Sequence, residues 1–268
     1  MKKRVYIYTN EIPQSLDAAK RLSDALPKDL FEIAGEYEDG KIDLVACIGG
    51  DGTFLSCMHS LDLPSCDIIG INTGHLGFFQ EISPDQIDDF IEAYISKRYV
   101  IQESTPVVAE MHAKKAFKRV LGVNEVCIRG PYAHVCHLSV CIDETFIQDF
   151  SGDGILVSTP VGSTAYNYSL GGAIISPELE VVQLTPIAPM STNAYRCFRA
   201  GIILPADKAI KITPNSQSRN KDITISYDRS TEIVSGVEKI EISKCAQSIR
   251  LIRMTDYDYW SKLTSKLL

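Results

Sequence analysis

The stretch that most constrains this chain is Gly49-Gly50-Asp51-Gly52-Thr53, set between an apolar run and a helical run. Asp43-Leu44-Val45-Ala46-Cys47-Ile48 comes before it, a nearly continuous apolar run that predicts a buried parallel-type strand. Thr53 to Ser60 reads as the start of a helix, with Thr53 placed to cap it. The glycines therefore mark a strand-to-helix turn, where a ligand can approach the backbone because no Cβ intervenes. N–H groups at a helix start favour phosphate. A carboxylate at the centre of such a loop is unfavourable beside phosphate unless it binds a metal ion or takes a proton from an attacking hydroxyl. Asp51 thus points to phosphoryl transfer with a carboxylate base. The competing reading of these five residues is a tight turn whose Asp was chosen for backbone geometry.

The flanking pattern gives the fold class. Arg4 to Tyr8 predicts a strand, and Pro13 to Leu26 a helix with Leu16, Ala19, Leu22 and Leu26 on one face. Phe31 to Ala34 predicts a second short strand. Ile68 to Ile71 is another apolar run, emptying into Asn72-Thr73-Gly74-His75-Leu76-Gly77-Phe78. Ser83-Pro84-Asp85-Gln86 is a capping box with Pro at the first helical position, opening a helix to about Ser96. This alternation predicts a parallel sheet covered on both faces, with ligands at the carboxyl ends of its strands. The Asp51 loop and the Asn72 loop both lie at such ends, so they are expected to converge.

From about Tyr99 the pattern turns to β. Val107 to His112, Ala116 to Ile128 and Val135 to Ile142 read as strands. Shorter segments follow at Ile202–Leu204, Ala209–Thr213, Asp222–Ser226, Glu232–Ser235, Lys239–Ile242 and Ser248–Arg253. The expected fold class is α/β plus all-β. A parallel-sheet domain would span 1–98, and a β-rich two-sheet domain 99–268. The terminal amphipathic helix near Tyr257–Leu263 is a candidate to pack back on the first domain.

Bulk properties exclude some functions. A formal net charge of −7 argues against nonspecific binding to nucleic acid or anionic membrane, while leaving room for a locally positive pocket. The basic start Met1-Lys2-Lys3-Arg4 is followed by only Val5 to Tyr8, too short for a signal-peptide core. No apolar stretch approaches the ~20 residues of a membrane span. The eight cysteines are scattered and form no Cys-x-x-Cys. Buried reduced thiols in a cytoplasmic protein are the expectation.

Two further stretches stand out. In Leu121 to Val126, Asn124 and Glu125 place an amide beside a carboxylate in apolar surroundings. Neighbours on a strand face opposite ways, so both reach one ligand only where the backbone bends. The alternative is a buried cap and a solvent-facing Glu. Gly152-Asp153-Gly154 leads through a strand to Pro160, then to Val161-Gly162-Ser163-Thr164-Ala165-Tyr166 and Gly171-Gly172-Ala173. Small residues there admit a flat ring or a phosphate, Ser163 and Thr164 add hydroxyls, and Tyr166 adds an aromatic face. A close-packed strand–helix junction explains the small residues but not the cluster of hydroxyls.

With these motifs in this order, the sequence resembles the NAD kinases, over roughly residues 40 to 265 and in their compact bacterial form. Gly-Gly-Asp-Gly-Thr alone is shared with lipid kinases and phosphofructokinases; Gly-Ser-Thr-Ala-Tyr at 162–166 in company with the rest is specific. The resemblance implies that Asp51 is the general base on the 2′-hydroxyl of NAD's adenosine ribose, with Mg²⁺ arriving with ATP. It implies that Gly49, Gly50, Gly52 and Thr53 hold the loop near the phosphates, and that Phe78 is an apolar wall. Asn124 and Glu125 inherit contacts to the adenosine part of NAD. Thr164, Ala165, Tyr166, Asn167, Ser169 and Ala188 belong to the same dinucleotide site. Asp153 would reach the substrate, in some members from a neighbouring subunit, in a homodimer or homotetramer. Val161, His75, Ser151 and Arg229 depart from commoner choices; Val161 loses a hydroxyl and Ser151 a positive charge. A lipid or sugar kinase would explain the Asp51 loop alone. A non-catalytic dinucleotide-binding regulator would explain the second set of motifs but would not need Asp51.

Overall fold

Strands and helices alternate over the first hundred residues. They are β1 (Lys3–Thr9), α1 (Pro13–Ala25), β2 (Phe31–Ile33), β3 (Leu44–Gly49), α2 (Asp51–Ser60), β4 (Asp67–Asn72), α3 (Ile87–Ile95) and β5 (Tyr99–Ser104). Strands then dominate: β6 (Val107–Ala113), β7 (Ala116–Gly122), β8 (Glu125–Arg129), β9 (Cys136–Ile142), β10 (Thr145–Gly152) and β11 (Gly154–Ser158). After the one-turn helix α4 (Tyr166–Ser169) come β12 (Val181–Ile187), β13 (Ile202–Pro205), β14 (Ile210–Pro214), β15 (Ile223–Tyr227), β16 (Ser230–Val234) and β17 (Val237–Lys244). The chain closes with β18 (Ile249–Met254) and α5 (Tyr259–Leu267). This computed structural model describes residues 2–75, 77–191, 196–218 and 221–268, without the side chain of Ala133. No helix among them is long and apolar enough to cross a membrane, and none of the eight cysteines is in a disulfide.

Two compact units result, Met1–Ser104 with Gln247–Leu268, and Thr105–Ala246. The first is a six-stranded sheet in the order β2-β1-β3-β4-β18-β5. All its pairs are parallel except β18 with β5. Every residue of β3 is buried, as its unbroken apolar run requires. Leu22 of α1 and Phe90 of α3 join Val5, Leu44, Ile48 and Ile69 in one core.

Three details differ from the sequence reading. Ser248–Arg253, read as a strand of the β half, instead inserts into the first sheet between β4 and β5. Its apolar residues predict a buried strand, but local pattern does not encode which sheet accepts it. β5, just after the expected boundary at residue 98, also pairs in this sheet. Helix α2 begins at Asp51 with extended Gly50 as its N-cap, so Thr53 lies inside the first turn and does not cap it. The Thr53 hydroxyl instead accepts a 2.9 Å hydrogen bond from the Asn10 amide.

The second unit holds two antiparallel sheets, β10-β9-β14-β17-β6-β7 and β13-β12-β11-β8-β15-β16. Their inward residues, among them Met111, Leu138, Phe150, Ile155, Val157, Ile212, Ile225 and Ile240, share one core. The strand expected over 116–128 breaks at Val123-Asn124 into β7 and β8. β10 and β12 escaped the sequence reading because polar residues interrupt them; Gln148, Gln183 and Thr185 are nonetheless buried.

Candidate active site

The Asp51 loop is built by the end of a buried strand. β3 and β4 run side by side with Gly49 opposite Asn72, so the loops that leave them are neighbours, as expected from their shared strand ends. Gly49 has φ +152°, and a Cβ there would lie 2.3 Å from the Thr53 hydroxyl. Only glycine lets the strand turn into α2 at that point. A Cβ on Gly50 or Gly74 would meet nothing within 4 Å, so both loops border open space.

Three donors converge on the Asp51 carboxylate. The Phe78 N–H donates to Oδ2 at 3.0 Å and the Phe79 N–H to Oδ1 at 3.0 Å. Lys266 Nζ, from the last turn of α5, donates to Oδ2 at 2.7 Å. Gly77 completes the fit, because a Cβ there would stand 2.2 Å from Asp51 Oδ1. The two side chains of the ion pair are only 28% and 27% exposed. The Lys266 ammonium also sits 4.3 Å from the centre of the Phe78 ring, which packs on Tyr259 at 6.3 Å.

A buried ion pair fixes the segment that carries those N–H groups. Arg253 of β18 pairs with Glu81 at 2.9 Å, bonds Gln102 at 2.6 Å and donates to the Phe78 carbonyl at 3.1 Å. Both members are almost wholly buried, and Glu81 also accepts from the Met254 N–H at 2.8 Å. Lys262 of α5 donates to the Gln80 carbonyl. Burial, with repulsion from Arg253 second, lowers its ammonium to about 8. None of Lys262, Lys266, Arg253 or Glu81 was singled out in the sequence. A pair of lysines at i, i+4 is visible in the terminal helix, but nothing local places that face against residue 51.

The second cluster lies in the second unit, at the Ser158 end of β11. Glu125 pairs across to Ser158. The backbone bend that the Asn124-Glu125 pair requires is present, since Asn124 falls in the break before β8. Asp228, in the β15–β16 turn, accepts the Val123 N–H at 2.9 Å and the Asn124 N–H at 2.7 Å, pinning that bend. The anchoring role of Asp228 is set by the fold, because 104 positions separate it from Asn124. Glu125 is buried, and its Oε2 has no partner among the described residues. Burial, the like charge of Asp228 second, pushes its carboxyl up to about 8, against the pull of the Tyr166 N–H.

The 161–166 turn is pressed against Asn124. A Cβ on Gly162 would sit 1.9 Å from the Asn124 carbonyl. Thr159 bridges the two segments, donating to the Val123 carbonyl at 2.8 Å and accepting from the Gly162 N–H at 3.1 Å. Below the turn is a buried polar network. Asn167 donates to the Ser163 and Ala173 carbonyls, both at 3.2 Å, and accepts from Gln183 and Thr185, both at 2.6 Å. The Asn167 amide is fully occupied with holding this backbone and is inaccessible. Ser163 is likewise turned inward, accepting from the Ile175 N–H at 3.0 Å. Thr164 and Ala165 are half-buried, and Tyr166 and Ser169 exposed.

Not every expected residue joins this cluster. Asp153 and Ala188 lie beside the other end of β11, where Gly154 pairs with Ile187. The length of β11 puts about 13 Å between the two ends. Ala188 holds a φ of +44°, strained for a residue with a Cβ. Ser151 is buried and shares a 2.8 Å hydrogen bond with His137. Arg229 and His75 are exposed.

Comparison with known proteins agrees with this architecture along nearly the whole chain. Residues 8–99 match the family model of the ATP-NAD kinase N-terminal domain, and residues 123–254 that of the ATP-NAD kinase C-terminal domain. An NAD kinase of Finegoldia magna is 31% identical over 271 residues, covering 99% of this chain and 98% of the relative. The crystal structure of yeast NADH kinase complexed with NADH superposes with a TM-score of 0.84 at 21% identity, over 99% of this chain and 87% of that one. That of an NAD kinase from Archaeoglobus fulgidus in complex with ATP gives 0.76 at 23%, over 99% of both chains.

Proposed function

The chain belongs to the NAD kinase family, a family of phosphotransferases, and on that premise we propose that Asp51 is the general base of phosphate transfer from ATP to NAD. The observation that carries this assignment is the setting of its carboxylate. It stands at the carboxyl end of β3, oriented by two backbone N–H groups and an ammonium. Oδ2 takes two of these donors and Oδ1 one, so Oδ1 keeps a lone pair for an incoming hydroxyl.

The acceptor in this reading is the 2′-hydroxyl of the adenosine ribose of NAD. A sugar hydroxyl is a poor nucleophile near neutral pH. As its oxygen bonds to the γ-phosphorus of ATP, its proton passes to Asp51, the bond to the bridging oxygen breaks and ADP leaves. The first turn of α2 and the open face of Gly50 are suited to the phosphates. Mg²⁺ enters this reading with ATP, on the phosphates. It would neutralise charge there, and Asp51, already held by three donors, is not needed as its ligand.

Asn124 and Glu125 would hold the adenosine. The unpartnered Oε2 of Glu125 supports this, since a buried carboxyl oxygen without a partner favours a ligand that brings a hydrogen-bonding group. Thr164, Ala165 and Tyr166 would line the dinucleotide site with Ser169 at its rim, and Phe78 would be an apolar wall beside Asp51. Asn167 would serve by holding the turn. Asp153, at the other end of β11 from Asn124, would reach the substrate in a homo-oligomer, and Ala188 would belong to the same dinucleotide site.

The test follows NADP formation from NAD, ATP and Mg²⁺ with a dehydrogenase that accepts only NADP. Asp51→Asn should keep the fold and NAD binding and lose about 10²–10⁴-fold in turnover. Turnover at the wild-type rate would remove Asp51 from the role of base.

A further inference from the structure

We infer that Lys266, in the last turn of the C-terminal helix, is a positioning residue of the phosphoryl-transfer site that holds the Asp51 carboxylate in its working orientation. The inference rests on the reading of Asp51 as the base.

The geometry is specific. The ammonium meets Oδ2 at 2.7 Å and covers the Phe78 ring at 4.3 Å, so it is held from two sides. Phe78 in turn supplies one of the two N–H groups on the same carboxylate. One side chain thus binds the carboxylate directly and packs on the residue that also binds it.

A merely structural role does not account for this placement. Helix α5 is anchored by other contacts. Asp258 caps its start by accepting the Trp260 N–H at 3.0 Å, Tyr259 packs on Phe78, and Lys262 reaches the Gln80 carbonyl. An ion pair more than a quarter exposed on both sides adds little to stability. Its value lies in geometry. The carboxylate hangs on the first residue of a helix beside two glycines, and a base that swings by an ångström loses much of its rate. Backbone N–H groups alone give each carboxylate oxygen one donor, and Lys266 adds a second on Oδ2. It does so from 215 positions away in sequence.

The experiment measures kcat and KM for NAD in wild type, Lys266→Met, Lys266→Arg and Asp51→Asn. Trp260, the single tryptophan and a resident of α5, reports by its emission whether the helix stays docked. Lys266→Met should lower kcat about tenfold or more with KM for NAD within about threefold and Trp260 emission unchanged. Lys266→Arg, which keeps the charge and reach, should recover most of the loss. Wild-type kcat in Lys266→Met overturns the inference. So does a loss that appears only in KM, or one that Arg fails to rescue while Trp260 emission shifts. Asp51→Asn separates the two claims. If it is inactive while Lys266→Met is normal, only the role of Lys266 falls. If it is fully active, the base assignment falls and this inference with it.

Discussion

Glu125 shows at the scale of one residue how burial becomes a measurable property. Its carboxyl is lifted from an ordinary 4.5 to about 8, chiefly by desolvation and then by Asp228. The folded protein therefore holds a proton that the unfolded chain releases near 4.5. Between these two values the folded state binds more protons, so the stability this residue contributes is complete below about 4.5 and lost as pH rises through about 8. Glu125→Gln keeps the shape and removes the titration. The variant should match wild type near pH 4.5 and exceed it near pH 8 by on the order of a few kcal/mol. Urea unfolding of both proteins at the two pH values checks this, and a difference that does not grow with pH would contradict it. The residue itself was visible in the sequence as an acid beside an amide in an apolar run. Its state was not, because Asp228 and Tyr166, which set that state, approach from distant parts of the chain.

At the scale of elements, local patterns were most legible where the physics is local. The unbroken apolar run of β3 and the capping box before α3 depend on near neighbours, and α1 forms where its spacing predicts, but Leu16 is exposed and Ser15, Ala18 and Leu22 form its buried face. The turn after β3 could be read from its glycines, although the helix begins at Asp51 and not at Thr53. Long-range pairing was less legible, and the segment after β4 shows why. Gly77 looks like any loop glycine, with no sign that it must admit the side chain of residue 51. A Cβ there would stand 2.2 Å from Oδ1 and 2.7 Å from Cγ of Asp51. Gly77→Ala should therefore displace the carboxylate while leaving the sheet intact. A fall in kcat on the order of 10²-fold is expected, with an unchanged circular dichroism spectrum and midpoint of thermal unfolding within a few degrees. Steady-state kinetics beside a thermal melt would check it. Wild-type kcat would mean that the loop relaxes around the methyl group.

At the scale of the whole molecule, the chain leaves its first unit at Ser104 and returns to it at Gln247. Strand counting along the sequence could not reveal this, since Ile249, Leu251 and Ile252 would suit either kind of sheet. The return has a consequence for folding. β18 lies between β4 and β5, where it supplies hydrogen bonds to both, and Arg253 buries its charge against Glu81. A chain ending at Ala246 would leave the facing edges of β4 and β5 unpaired and Glu81 without its buried partner. Removing one member of a buried pair alone costs roughly 3–5 kcal/mol, and the vacated strand position adds to that. The second unit loses none of its strands, because β6 to β17 all lie between Thr105 and Ala246. The truncated protein should therefore unfold selectively. Hydrogen exchange should show fast exchange in β1, β3 and β4 beside retained protection in β8, β9 and β11. Protection of β3 and β4 at wild-type levels would show that the parallel sheet stands without its inserted strand, and that β18 serves chiefly to bring α5 and Lys266 to Asp51.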